Sequence, residues 1–431
     1  MLDAQVEQYW DVIVVGGGPA GYFAAIRCAE TASQAGTALR VLIIERARRS
    51  LGKVIISGGE RCNVTHACFD PAQLVTYYPR GGAALRGPFS RFQPRDTVNW
   101  FEQRGVALKT EEDGRMFPVS DSSRTIVECL EDAARQAGVT VWNLASLVDL
   151  ERCQPESQGS ARFKLRLRSE GQEGEQILLA RSVLFASGSE SSCHAMILRL
   201  GHTIEPPVPS LFTFKITDAR IEELAGLSVP KASLKLETGP VSGKAAIPPQ
   251  QGPLLITHWG MSGPAILKLS AFGARVVHEL GYHFTLQLNW LGETGEGEVG
   301  KLLSKEDQQR KLARNANPFL IPHRLWEFLL AKADIAPDRP WGEVGKKDRN
   351  RLMDLLTNDR YAVVGKTTFK EEFVTAGGVA LEQVDPHTMQ SRVVPGLYFA
   401  GEVLDIDGIT GGFNFQAAWT TGFLAGKLGG G

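Results

Sequence analysis

Residues 12–21 read VIVVGGGPAG, and this stretch decides the fold. Val12–Val15 is a short, wholly apolar run, the pattern of a strand buried on both faces in a parallel sheet. Gly16-Gly17-Gly18-Pro19-Ala20-Gly21 then fits G-x-G-x-x-G, and Ala20–Ala32 reads as a helix. That order makes a site for a dinucleotide pyrophosphate. Gly16 permits the tight turn, Gly18 lets the phosphate approach the backbone, and Gly21 lets helix and strand pack closely. The helix N-terminus stabilises the negative charge. A second buried strand, Val41–Ile44, follows the Gly-containing link Ser33–Ala38 and ends in Glu45-Arg46. Glu45 lies 24 residues beyond Gly21, close to the spacing at which an acid meets the ribose hydroxyls. A carboxylate there disfavours a 2′-phosphate.

Further along, Ser122–Ala137 reads as a helix that Asp121 or Ser122 can cap and Gly138 ends, with Ile126, Val127, Leu130, Ala133 and Ala134 on one face. Val139–Leu150 reads as one strand. In residues 162–185, Phe163, Leu165 and Leu167 alternate with Lys164, Arg166 and Arg168, which predicts a half-exposed strand and a hairpin turning at SEGQEGE. From Glu205 the texture changes. PPVPS punctuates the chain, and Phe212–Ile216, Ala232–Glu237, Pro253–Thr257 and Phe284–Leu291 read as short strands. Charged helical sequence follows from Lys301 to Asp359, and Gly-rich, strand-like character returns after Tyr361. The G-x-G-x-x-G pattern recurs at Gly295–Gly300, but Glu293, Glu296 and Glu298 would repel a pyrophosphate, so it reads as an acidic loop.

The other end of the chain carries a second glycine-rich turn. Leu397–Ala400 is a buried strand that ends in Gly401-Glu402; a loop follows, and Gly411-Gly412-Phe413-Asn414 opens a helix through Gln416–Leu424. A carboxylate after such a strand can bind ribityl hydroxyls, and a helix start can aim N–H groups at a flavin pyrimidine edge, where they would stabilise negative charge. This end of the chain discriminates FAD from NAD; the alternative is a C-terminal strand–loop–helix that only closes the sheet.

Composition sets bounds on the rest. At 431 residues, two or three domains are expected. Net charge is −1, so no whole-protein field draws nucleic acid or anionic lipid. Six scattered cysteines with no CxxC fit a reducing compartment. The opening MLDAQVEQYW lacks the basic region of a signal peptide, and no apolar run approaches the ~18 residues that cross a bilayer. A cytoplasmic location and no membrane partner are expected. No His/Cys/carboxylate cluster has metal spacing, and the G-x-S-x-G of a nucleophile elbow is absent.

The sequence resembles the bacterial NAD(P)/FAD-dependent oxidoreductases of the BaiN/YhiN-like, or HI-type, flavoprotein family. Four segments carry the resemblance: VVGGGPAG, GKVIISGGERCNVTH (Gly52–His66), PLLITHWGMSGPAILKLS (Pro253–Ser270) and the long run Thr375–Trp419. Glu60 stands where that family usually has a third glycine, and Trp259 where it usually has Phe. The resemblance implies an α/β fold: a Rossmann-like FAD/NAD(P)-binding domain split by an insert that is part β-barrel-like and part α-helical. The expected pieces are 1–205 and 361–431 for FAD, 206–299 for the β-rich insert and 300–360 for the helical one. It further implies that Lys53, Ser57, Gly58, Arg61, Cys62 and Asn63 line the flavin side, with Arg61 touching phosphate or a substrate anion. Ala186-Ser187-Gly188 brings a chain crossover next to FAD, and Val148 is a backbone partner for adenine.

Cys62 and Cys68 are spaced C-x5-C rather than the C-x4-C of disulfide reductases, so Cys62 reads as a small buried residue in the flavin loop. His258 reads as structural, with a role as acid toward substrate the alternative; His66 and His387 carry less weight. The expected function is hydride transfer between flavin N5 and a small organic substrate, in the reductase direction, with NADH or NADPH as transient donor and no nucleic-acid partner. The alternatives are a flavin-dependent RNA-modification enzyme, which calls for a basic groove with interleaved aromatics, and an amine oxidase. The sequence sets no catalytic residue and no oligomeric state.

Overall fold

A computed structural model describes residues 8–153, 161–171, 174–237, 247–319, 321–367 and 374–430. The first seven residues and Gln172-Glu173 of the SEGQEGE turn therefore lie outside the described residues. The chain forms two compact units, Met1–Val208 with Val374–Gly431, and Pro209–Phe373.

Unit 1 opens with β1 (Gln8–Val15), α1 (Pro19–Gln34), β2 (Val41–Ile44) and α2 (Gly52–Glu60). After them come β3 (Thr65–His66), α3 (Pro71–Leu74), α4 (Gly82–Phe89), α5 (Pro94–Glu102), β4 (Leu108–Thr110), β5 (Arg115–Pro118) and α6 (Ser123–Gln136). β6 (Thr140–Trp142), β7 (Ala145–Arg152), β8 (Phe163–Ser169), β9 (Gln176–Phe185), α7 (Ser191–Arg199) and β10 (Ile204–Ser210) complete the stretch. Unit 2 contains β11 (Thr213–Ile216), α8 (Ala219–Leu224), β12 (Ser228–Glu237), β13 (Gln250–Thr257), β14 (Gly260–Ser262), α9 (Pro264–Glu279) and β15 (Phe284–Asn289). Its last elements are α10 (Glu296–Leu303), α11 (Glu306–Gln309), α12 (His323–Lys332), α13 (Lys346–Thr357) and β16 (Asp359–Thr367). The chain then adds β17 (Val374–Val379), β18 (Leu397–Phe399) and α14 (Phe413–Ala425) to unit 1.

The main sheet of unit 1 runs β6-β2-β1-β9-β8-β7. β6, β2, β1 and β9 are parallel, as the apolar runs at Val12–Val15 and Val41–Ile44 require. β9 shares one edge between two partners: Phe163↔Ala180 pairs it with β8, and from Val183 onward it pairs with β18 through Leu397↔Val183. This hand-over sets the carboxyl end of β18 beside those of β9 and β1. The alternation in β8 is as read, with Phe163, Leu165 and Leu167 buried.

Four local expectations differ from the structure. Val139–Leu150 is two strands, because Leu144 at φ 56 breaks the run after Asn143. The α6 start has Ser122 at its N-cap with no side-chain capping bond, and the Asp121 carboxylate goes to Lys109 and Arg61 instead. Gly295–Gly300 opens α10 rather than a loop, since Glu296 and Glu298 fall in a first turn that favours acids. Finally, β16 pairs with β15 and β11 and closes a six-stranded antiparallel barrel, so the chain returns to unit 1 at Val374 and not Tyr361. The helical stretch is not a separate piece either. Trp326, Trp341 and Leu352 share one apolar core with Phe214, Leu234 and Trp290 of the barrel.

In β7, Asp149 is buried and accepts from Arg166 at 2.6 Å and from Arg199. The Arg166 hydrogen bond first, and Arg199 beside it, hold this carboxyl below the usual carboxylate range. Its stabilising effect is therefore present above the ordinary pKa of about 3.9 and is lost as pH falls through the lowered folded value. With both arginines half-exposed, Asp149→Asn should cost about 1 kcal/mol at pH 7 in urea unfolding. The gap from wild type should narrow toward pH 3; a gap that stays constant with pH would refute the assignment.

Candidate functional site

Because β1, β2, β9 and β18 are parallel, their carboxyl ends lie along one edge of the sheet, where α/β folds place ligands. The turns that follow them are knitted together by the backbone. Gly16 N–H donates to Ile44 O at 2.9 Å, Ala186 N–H to Val15 O at 2.8 Å, and Ala400 N–H to Phe185 O at 2.9 Å. Gly16 adopts φ +111, and a β-carbon there would stand 2.5 Å from the Ala186 carbonyl oxygen, so no side chain fits.

Glu45 is fixed by two backbone donors, Gly17 N–H and Ala47 N–H, each at 2.7 Å. Each carboxylate oxygen keeps a lone pair for a ribose hydroxyl. Arg46 is exposed and pairs with Glu190 at 2.8 Å. Gly18 is the N-cap of α1; the helix has no side-chain cap, no acid in its first turn and Pro19 in its first turn. A β-carbon on Gly18 would meet nothing within 4 Å, whereas one on Gly21 would collide with the Gly16 carbonyl oxygen. The first is a cradle open to a ligand, and the second is a packing contact.

Glu402 joins four segments. It pairs with Lys53, accepts from Thr375 N–H at 2.9 Å, and would lie 3.6 Å from a β-carbon on Gly188. Gly401 N–H donates to Thr421 Oγ1 of α14 at 2.9 Å. Ser187 is half-buried beside the Cys193 thiol. Thus Lys53, Ala186–Gly188 and Gly401-Glu402, expected together, are brought together.

α14 starts at Gly412, again with no side-chain cap and no acid in the first turn. The Asn63 amide, oriented to satisfy both of its ends, accepts from Gly412 N–H and donates to Thr65 O, each at 3.0 Å. Behind it lies a buried polar ladder. Gln416 Oε1 accepts from Thr65 Oγ1 at 2.6 Å and Thr97 Oγ1 at 2.9 Å, and Trp419 Nε1 donates to Val64 O at 2.9 Å. Asn414 exchanges bonds with both backbone groups of Gly408, at 2.8 and 2.9 Å. The loop before the helix is clasped by a bidentate Arg80–Asp407 pair, with Asp407 fully buried.

α1 and α14 lie side by side in the same direction. Gly422 packs on Ala20 and Phe23, and Gly426 on Ala24 and Arg27. α14 therefore begins about six residues ahead of α1, an axial offset of ~9 Å. The two helix starts are staggered along the helix direction rather than level with each other.

Several expected residues sit differently. Arg61 turns into a charged cluster, pairing with Glu111 at 2.7 Å and Asp121 at 3.5 Å over the Phe117 ring, so it is not directed at an anion. Val148 is not at a strand end but at a bulge within β7, between Leu147 and Asp149. Cys62 is fully buried and its thiol is pushed up to about 12 by burial, which makes it inert. Cys68 is likewise free and buried. Ser57 caps back on Val54 O at 2.9 Å, and Gly58, Gly59 and Glu60 follow it in left-handed conformations. His258 belongs to unit 2, exposed in the β13–β14 turn against Trp259. Among the described residues no group of His, Cys, Asp or Glu could hold a metal.

The sequence reading missed the aromatic group around the α14 start. Phe413 stacks on His66 at 4.7 Å and on Tyr77 at 4.4 Å, and Tyr78 Oη donates to Phe413 O at 2.6 Å. His66 Nε2 is 3.1 Å from the Asp113 carbonyl oxygen. Gln416 could have been flagged, since it is a lone polar residue between Phe415 and the apolar Ala417-Ala418-Trp419.

The donor set fits FAD: an open glycine cradle at an uncapped helix start, a carboxylate with free lone pairs, and a second uncapped start offset from the first along the helix direction. The fold and site define a flavoprotein oxidoreductase with a Rossmann-type nucleotide domain. Residues 10–428 match the family model described as HI0933-like protein Rossmann domain, and the chain belongs to that family. It is 29% identical over 428 residues to the ribosomal RNA dihydrouridine synthase of Escherichia coli (strain K12), covering 96% of each chain. It is 27% identical over 419 residues to the 3-dehydro-bile acid delta(4,6)-reductase of Clostridium scindens, covering 96% of this chain and 97% of that one. The solved 3-ketosteroid delta1-dehydrogenase from Sterolibacterium denitrificans aligns over 98% of this chain and 99% of its own, with a TM-score of 0.51 at 13% identity, a likeness of fold.

Two glycine variants separate ligand contact from packing. Gly18→Ala should leave the apoprotein melting temperature nearly unchanged and weaken FAD binding tenfold or more. Gly21→Ala should destabilise the apoprotein itself by about 1–3 kcal/mol. Equal effects of both on apoprotein stability would contradict the open cradle. Glu60, at φ +65 where glycine is favoured, offers the reverse case. Glu60→Gly should raise stability by about 0.5–1 kcal/mol in urea unfolding, and a loss would show that the turn is not strained.

Proposed function

We propose that this chain reduces a carbon–carbon double bond conjugated with a carbonyl group, with FAD held in unit 1 and NADH or NADPH as the electron donor. The observation that carries the proposal is the pair of uncapped helix starts staggered by ~9 Å, which suits a long ligand with an anionic centre at one end and an electron-accepting ring at the other. The Gly18 cradle and α1 would hold the pyrophosphate, Glu45 the adenosine ribose, and Val148 the adenine through its backbone. Lys53 and Glu402 would meet the ribityl chain, and the first-turn N–H groups of α14 the pyrimidine edge. When bound, FAD supplies the hydride.

The named relatives support this chemistry. A delta(4,6)-reductase of a 3-dehydro bile acid and a dihydrouridine synthase both saturate an alkene polarised by a carbonyl. Reduction of such a bond also needs a proton, and the His66 ring stacked on Phe413 is the candidate carrier. Two readings of the substrate follow: a free conjugated ketone with no nucleic-acid partner, or the uracil ring of an RNA. The second is favoured by relatives from Escherichia coli and Haemophilus influenzae that carry the dihydrouridine synthase name over nearly their full lengths.

Stopped-flow reduction tests the proposal. Anaerobic NADH or NADPH should bleach the flavin, and a conjugated ketone or a uridine-containing RNA should restore its colour. Bleaching by an amine without any nicotinamide donor would point to amine oxidation and sink the proposal. His66→Gln should slow recolouring about 100-fold and leave bleaching by the nicotinamide unchanged; equal slowing of both steps would remove His66 from the proton's path.

A further inference from the structure

Between Asp70 and Asp96 the chain carries four arginines and no acidic residue. Arg80 is used internally, on Asp407. Arg86, Arg91 and Arg95 are exposed, and none of them forms an ion pair among the described residues. The course of this segment gives the stripe its meaning. At one end Tyr77 stacks on Phe413, the first residue of α14. At the other, Phe92 stacks on Phe423 at 4.4 Å, and its carbonyl accepts from Thr420 Oγ1 at 3.0 Å. The segment thus follows α14 from its start to its last turn, ~15 Å.

Two further cations join it at the far end. The Arg27 guanidinium lies over the Phe423 ring at 4.8 Å, and its Nε is buried with no hydrogen-bond partner among the described residues. Lys427 Nζ lies 5.7 Å from the same ring. Burial first, and the neighbouring Arg91 and Arg27 charges after it, hold the Lys427 ammonium pKa below its ordinary value. Three cations are therefore close together with no carboxylate among them, an arrangement that costs free energy until an anion neutralises it. Another basic cluster of unit 1 is neutralised within the chain: Arg61, Lys109 and Arg115 interleave with Glu111, Asp113 and Asp121.

We propose that Arg86, Arg91 and Lys427, with Arg27 behind them, form a track on unit 1 that binds the phosphodiester backbone of a single RNA strand. The track begins at the aromatic group where α14 starts, so a strand lying along it can present one base at that start while its phosphates meet the cations. Its length spans about four nucleotides at ~3.4 Å each. Arginine forks suit phosphate oxygens. Phe423 is covered on its faces by Phe92 and Arg27, so this end of the track reads phosphate and not base. A bilayer surface would require no such continuity with the α14 start. The inference rests on the uracil reading above and assigns where the RNA lies.

The test is fluorescence anisotropy with a uridine-containing single strand of roughly 12 nucleotides and the FAD-loaded protein, from ~50 to ~200 mM salt. Wild type should bind with a steep salt dependence. The Arg86→Ala/Arg91→Ala/Lys427→Ala variant should bind at least tenfold more weakly, with the log–log salt slope reduced by about 2. Its FAD content and its bleaching by NADH or NADPH should not change. A control in unit 2, Lys301→Ala/Lys305→Ala/Arg310→Ala, should bind like wild type. The track is overturned if wild type does not bind RNA, if it binds anionic vesicles instead, or if the control rather than the stripe variant loses binding. The functional reading fails separately: RNA binding and its loss in the variant would persist while neither uridine nor a conjugated ketone reoxidises the flavin.

Discussion

The close parallel packing of α1 against α14 is the constraint on which the rest of unit 1 depends. Gly422 and Gly426 present no side chain to Ala20, Ala24 and Arg27, so two helices from opposite ends of the chain can lie in backbone contact. β18 reaches the same place by taking over the edge of β9 from β8. Together these fix the offset between the two helix starts. A bulky residue at Gly422 would move α14 outward and change the distance between the groups proposed to hold the two ends of one ligand.

Around that contact the site is held by buried polar bonds rather than by loop contacts. Gln416 gathers Thr65 and Thr97, Trp419 holds Val64, and Asn63 takes the Gly412 N–H, so the Asn63–Thr65 segment and the helix start are tied together. Each of these groups is satisfied, which is the condition under which a buried network rigidifies rather than destabilises. Such rigidity is what a site needs in order to stabilise charge without reorganising.

Local patterns made much of this legible in the sequence. The apolar runs at Val12–Val15 and Val41–Ile44 fit buried strands, and the turn Gly16–Gly21 between strand and helix, read by sterics, marks them as parallel. Interactions between distant residues were not legible. β16 looked like a return to the nucleotide domain, yet its partners in the barrel are far away in sequence. Arg61 sits in a family-like motif but finds Glu111 and Asp121, which no spacing announces. The arginine stripe is not legible in the sequence, because its cations come from segments far apart along the chain. Only the fold shows that the acid-free segment after Asp70 runs beside α14.

The most direct measurement compares equilibrium binding of FAD and ADP to the folded apoprotein. ADP can satisfy the α1 cradle and Glu45 but cannot reach the α14 start. One FAD per chain, bound at least a hundredfold more tightly than ADP, is the expected result. Equal affinities, or no uptake of FAD by folded protein, would contradict a single ligand gripped at both helix starts.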